Sequence, residues 1–272
     1  SQGRSPDGAS GIVPLASRTL LDETVLSTPQ PGVAAANSAP RIGGVQVSEI
    51  MYHPLTGAAE YLEIVNTGAA AESLAQWTLR GDVDYTFGSP FTLAAGERIL
   101  GVAFAPVVSP ATAAAFSAAY QVPAATRLVG PWSDAATLSD AAGNVRLRRK
   151  TPPPADDPVF IGLMMENEVP YTSSAPWPVT ASGTGLAIQR LGVSRQGNDP
   201  TAWTAAAPSP GTDSGGAVGW QLEHFPTGGP LTGASDDFDH DGIPNRTEYL
   251  LGPDPRSVAG PPWTSFPAAV PG

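Results

Sequence analysis

Near the end of the chain, Asp237, Asp239, Asp241, Gly242, Ile243, Asn245 and Glu248 reproduce the spacing D-x-D-x-D-G-x5-E without a gap. Carboxylates on alternate residues can converge on a hard cation, and calcium takes roughly six to eight oxygen ligands. Asp237, Asp239 and Asp241 fill the first three positions. Gly242 makes the sharp turn, the carbonyl of Ile243 faces the ion, Asn245 holds a water, and Glu248 closes the sphere with both oxygens. A solvated acidic turn would be rich in the same residue types, but it would not need agreement at every position. The expected chemistry is Ca2+ binding rather than catalysis.

The flanks decide what kind of loop this is. Gly228, Gly229, Pro230, Gly233 and Ser235 make a poor entering helix, whereas Asn245 to Leu251 reads as a short helix stopped by Gly252 and Pro253. Such a lone half-hand resembles the calcium repeats of thrombospondin type 3 and dockerin modules over about a dozen residues. That resemblance implies an extracellular setting and an ion that braces a linker or a small docking unit. The sequon Asn245-Arg246-Thr247 lies inside the loop, so glycosylation is not expected there.

Other reactive constellations are missing from the sequence. There is no cysteine, no G-x-S-x-G elbow, no H-E-x-x-H motif and no phosphate-binding G-x-x-x-x-G-K-[ST]. The three histidines, His53, His224 and His240, are far apart in sequence; His53 ends a strand and His240 occupies a non-ligand position of the loop. Glu49 and Glu63 sit on neighbouring strands, as a glycosidase pair would, but surface carboxylates do this routinely. The chain is therefore expected not to be an enzyme. Trp132, Trp177, Trp220 and Trp263 lie near turns, where an indole can stack on a sugar ring or pin a loop. Trp177 is assigned to pinning; Trp220 and Trp263 stay open to a surface glycan or a partner.

The elements that must carry these residues follow from composition. In 272 residues, 41% hydrophobic content furnishes a core, and 30 glycines with 30 prolines favour short strands joined by turns. A net charge of -11 and a pI near 4.6 disfavour nucleic acid and anionic membrane surfaces. No apolar run approaches the ~20 residues of a membrane span.

Strands are expected at Val45 to Tyr52, Tyr61 to Asn66, Trp77 to Leu79, Asp84 to Phe87, Arg98 to Phe104, Arg127 to Val129, Val145 to Arg149, Val159 to Met165 and Leu186 to Leu191. Ser109 and Pro110 open an alanine-rich helix reaching Tyr120, expected to lid one end of the sheets. Ile50, Leu62, Ile64, Trp77, Leu79, Phe91, Leu100, Leu147, Ile161, Leu163 and Ile188 form the expected core, with Met164 and Met165 as filler. The basic run Arg146 to Lys150 is expected to put its charges on the solvated side of a strand.

The stretch Val45 to Ser214 resembles the lamin tail domain. The resemblance is carried by Ser48-Glu49-Ile50-Met51-Tyr52, Glu60 to Asn66, Leu74 to Gly81 with Trp77, Phe91 to Val102, Leu138 to Leu147, Pro176-Trp177-Pro178, Gly185 to Leu191, Asp199-Pro200, Trp203 and Pro208-Ser209-Pro210-Gly211. It implies an all-β, immunoglobulin-like β-sandwich of a type found in nuclear lamins and in many secreted bacterial proteins.

The expected plan is an extended N-terminal arm (1–44), the sandwich (45–214), a linker (215–235), the calcium loop (236–256) and a Pro-rich tail (257–272). Within the arm, Ser27 to Gly32 echoes Ala206 to Gly211, and Thr19 to Leu26 is the candidate for a strand donated to a neighbouring copy. These features together describe an extracellular or cell-surface structural protein that forms a homo-oligomer or polymer. The alternative is a carbohydrate- or protein-binding module of a larger secreted enzyme.

Overall fold

Runs of β-branched and aromatic residues interrupted by glycine and proline must pair as short strands, and they do so in the computed structural model of this chain. The structure describes residues 2–3, 13–14, 41–132, 137–152, 159–160, 162–192, 195–212, 224–225, 230–233, 235–245, 247–248 and 254–258. The proposed donor strand Thr19 to Leu26, the echo at Ser27 to Gly32, Ile161, Trp220, Trp263 and nearly all of the Pro-rich tail lie outside the described residues. The chain divides into two compact units, Ser1–Thr212 and Asp213–Gly272.

In the first unit, β1 (Gln2–Gly3) pairs with β2 (Val13–Pro14) in a small antiparallel ladder. The body is built from β3 (Val45–Met51), β4 (Tyr61–Asn66), β5 (Glu72–Ser73), β6 (Thr78–Gly81), β7 (Tyr85–Thr86), β8 (Thr92–Leu93), β9 (Arg98–Val102), β10 (Arg127–Val129), β11 (Val145–Lys150), β12 (Leu163–Val169), β13 (Ala187–Arg190) and β14 (Trp203–Ala206). One sheet has the order β10-β9-β4-β3-β13-β14 and the other β12-β11-β6-β7, while β5 and β8 pair separately. The fold is an all-β, immunoglobulin-like sandwich with one helix, α1 (Pro110–Ala119).

Between the sheets, Val45, Val47, Ile50, Leu62 and Ile64 meet Trp77, Leu79, Val145, Leu147 and Val169. Strict alternation from Val45 and Val47 would send Glu49 into that core. A bulge at Ser48 prevents this: Val47 pairs with Ile64 and Glu49 with Glu63, so Ser48 is extra, Glu49 turns outward and Ile50 turns in. Where β3 leaves β13, side chains complete the ladder. The Asn167 amide oxygen accepts from Val47 N at 3.0 Å, and the buried Arg190 donates to the Val47 carbonyl at 3.2 Å. Burial lowers the Arg190 pKa to about 10.

Several expectations need correction. The helix does not lid an end of the sheets: Phe116 packs with Met51, Tyr61, Leu100, Val102 and Ala187 on the outer face of the six-stranded sheet. The expected strand Val159 to Met165 begins at Leu163 and runs on to Val169, leaving Val159, Phe160 and Leu163 exposed and the two methionines half-buried at a sheet edge. Polar Glu166 and Asn167 take the buried positions, because they satisfy backbone and arginine groups there. The basic run is only partly solvated. Arg149 lies over the Trp77 ring at 5.2 Å and pairs with Glu72 at 3.2 Å, while Arg146 pairs with Glu168 at 3.3 Å. Phe91 is only partly buried, and Trp132, Tyr52, Tyr61 and Tyr171 join the core instead.

Candidate metal centre

Tight backbone geometry shapes the loop in the second unit. His240 and Gly242 have φ of 62° and 92°, the left-handed region in which glycine is unstrained and histidine is tolerated. Each aspartate uses one carboxylate oxygen to hold the turn. Asp237 accepts from Gly242 N at 2.9 Å, Asp239 from Asp241 N at 3.2 Å and Asp241 from Ile243 N at 2.8 Å.

The other oxygens are left over. Asp237 Oδ1, Asp239 Oδ2 and Asp241 Oδ2 are buried without a hydrogen-bond partner, and one ligand oxygen from each aspartate lies within 4.8 Å of the others. Glu248, on the helical turn shared with Asn245 and Thr247, is fully buried, and neither of its carboxylate oxygens has a partner. Burial pushes the Glu248 pKa up to about 7, reinforced by the charges of Asp239, Asp241 and Asp237. Three aspartates brought together, with the charge of a buried Glu248 felt beside them and no counter-charge among the described residues of the loop, are costly, whereas a divalent cation would satisfy the orphaned oxygens directly. The donor set is all oxygen, and a carboxylate with both oxygens free suits calcium.

Asn245, expected to hold a water for the ion, also has partners within the protein. It is 1% exposed; its amide nitrogen donates to the carbonyls of Leu231 at 3.0 Å and Gly233 at 2.8 Å, and its amide oxygen accepts from Phe238 N at 3.2 Å. It braces the protein side of the loop. Ile243 lies within the turn, its N–H given to Asp241.

Glu49, Glu63, Trp132 and Trp177 belong to the first unit. Glu49 and Glu63 are buried, not on the surface, and segment 209–212 closes over them. Glu49 accepts from Ser209 N and Ser209 Oγ, each at 3.0 Å, and from the Tyr61 hydroxyl. Glu63 accepts from Gly211 N at 2.6 Å and Ser48 Oγ at 2.6 Å, with Arg98 Nε at 3.5 Å. Neither carboxylate has room for a glycosidic bond. Trp132 and Trp177 are also buried, the latter 6.1 Å from the ring of Trp203, so neither offers a face to a sugar.

One juxtaposition was invisible in the sequence because 129 residues separate its members: His53 Nδ1 lies 2.9 Å from Ser182 Oγ. The other ring nitrogen is 3.8 Å from an exposed Asp140 oxygen, too far for the hydrogen bond that would orient a catalytic base. Gly183 N donates to the His53 carbonyl at 3.1 Å, so the group clasps the end of β3 to the loop at Ser182 and Gly183.

No curated protein matches the chain. Among solved structures, a DUF4876 family protein from Bacteroides thetaiotaomicron aligns at 13% identity over 68% of this chain and 79% of its own, with a TM-score of 0.42. The bulged β3, the strand β4 beside it and the Trp77 segment all lie within residues 38–151, and over those residues the chain matches the family model of the Lamin Tail Domain.

Proposed function

We propose that this protein is a non-enzymatic extracellular structural module: an immunoglobulin-like sandwich that holds other molecules, with Ca2+ bracing its C-terminal segment. The observation that carries this reading is the set of five buried carboxylate oxygens without partners, from Asp237, Asp239, Asp241 and Glu248. With the Ile243 carbonyl and water they make a seat for calcium, and a bound ion would hold the segment stiff. The function is therefore mechanical: an ion sets the shape of the trailing unit, and the sandwich supplies the rigid body.

In its finer form, the proposal is assembly with further copies into a fibre or surface layer through the terminal arms. The acidic charge of the chain suits a setting in which calcium is plentiful and can screen repulsion between copies. Two measurements test the proposal. Calorimetric titration of the whole chain with calcium should show binding that is lost in Asp239→Asn/Glu248→Gln. Deletion of residues 1–40 should leave the sandwich folded but prevent concentration-dependent association in light scattering. Absence of calcium binding would overturn the bracing role, and a chain that stays monomeric at every concentration would overturn assembly.

A further inference from the structure

A paired calcium hand enters its loop from a helix, which fixes the first ligand in place. Here residues 230–233 and 235 are not helical, so another device must hold the incoming chain. Asn245 is placed to do so. Its side chain reaches back 14 residues to the Leu231 carbonyl and 12 to that of Gly233, and takes the Phe238 N–H. Its own N–H donates to the Asp236 carbonyl at 2.7 Å. Asp236 returns the connection, accepting from Gly233 N at 2.8 Å through its carboxylate.

Leu231 adds an independent sign of constraint. Its φ is 63°, a conformation that a leucine keeps only when its surroundings impose it, and its carbonyl is one of the two that Asn245 engages. Ligand and clasp residues alternate along the loop: Glu248 lies one helical turn beyond Asn245, and Phe238 stands between Asp237 and Asp239. Drawing the four carboxylates onto an ion would therefore hold Phe238 N and Asn245 in the positions their hydrogen bonds require.

We propose that Asn245 is a positioning residue that stands in for an entering helix, which the described residues before the loop do not form, and that calcium occupancy governs whether residues 231–233 and 235–238 are held against the loop. The regulatory half of this inference rests on the calcium reading above; the clasp itself rests on the hydrogen bonds. Calcium would then decide the order of the chain entering the loop as well as that of the loop itself.

The variant Asn245→Asp separates the two roles open to this residue. Aspartate supplies a stronger metal ligand but lacks both amide donors. Hydrogen exchange of the whole chain, read on the peptide covering 230–248, is compared with calorimetric calcium affinity, and exchange in the sandwich serves as the internal control. As a clasp, Asn245→Asp should keep calcium affinity within about tenfold, while exchange at Gly233 rises to the level of calcium-free wild type; Phe238 N–H keeps a carboxylate acceptor and is not the readout for this variant. Undiminished protection at Gly233 in Asn245→Asp would overturn the clasp. A gain in affinity with full protection would make Asn245 a ligand. Wild type that binds no calcium, yet loses protection at Gly233 and Phe238 in Asn245→Ala, would remove the regulation and keep the clasp.

Discussion

Glu49 and Glu63 are cross-strand partners on β3 and β4, and both are buried under the segment that ends the first unit. Two acids share one desolvated site because Ser209 and Gly211 supply N–H donors, Ser48, Ser209 and Tyr61 supply hydroxyls, and Arg98 supplies a charge. Gly211 is required at this point. Its φ is 81°, and a Cβ there would meet Thr126 Oγ1 at 2.3 Å.

This pair gives the sandwich an unusual pH dependence. Burial raises the Glu63 pKa to about 7, against the lowering effect of Arg98 and the hydrogen bonds, and burial also raises that of Glu49. A carboxylate with a raised folded-state pKa makes its favourable contribution below the unfolded value and loses it as pH climbs through the folded value. Stability should therefore increase as pH falls from 8 to 5, by up to about 3 kcal/mol from Glu63. Urea midpoints across that range check this, and Glu63→Gln should flatten the profile. A midpoint that falls steadily from pH 8 to pH 5 would contradict it.

The bulge at Ser48 sets which side of the sheet each β3 residue faces. Deleting Ser48 should restore simple alternation, turn Glu49 into the core and leave the chain without cooperative unfolding in circular dichroism. Ser48→Ala keeps the bulge and removes only the hydrogen bond to Glu63, so it should cost about 1 kcal/mol.

Burial separates residues that look alike in the sequence. Trp132→Ala should destabilise the sandwich by ~3–5 kcal/mol, because the indole is buried in the main core. Val107→Ser should change stability by less than about 0.5 kcal/mol, since Val107 is 92% exposed. Thermal melts of the two variants provide the comparison.

Calcium at about one hundred times its dissociation constant should stabilise the C-terminal unit by ~2.7 kcal/mol, and chelator should remove that gain. The sandwich transition should not move. Glu248→Gln should abolish the calcium response, and without the ion it should leave the unit more stable than wild type, because one charge is removed from beside three aspartates. Calorimetry with and without chelator reads both effects.

Periodicity and turn residues in the sequence determined the sandwich class, the positions of β3, β4, β9 and β11, and α1 with Pro110 in its first turn, since these depend on local backbone preference and on which face of an element is apolar. The acidic loop was legible for the same reason: its carboxylates fall within a dozen consecutive residues, and their spacing is local. Tertiary structure decided what depends on distant neighbours. The bulge that turns Glu49 outward, the closure of Ser209 and Gly211 over two acids, the burial of Trp132 and the meeting of His53 with Ser182 all join segments remote in sequence. Asn245 shows both limits at once. Its place in the motif marked it to hold a water for an ion, but its hydrogen bonds to the carbonyls of Leu231 and Gly233 were not legible, because those groups come within reach only once the chain has folded back on itself.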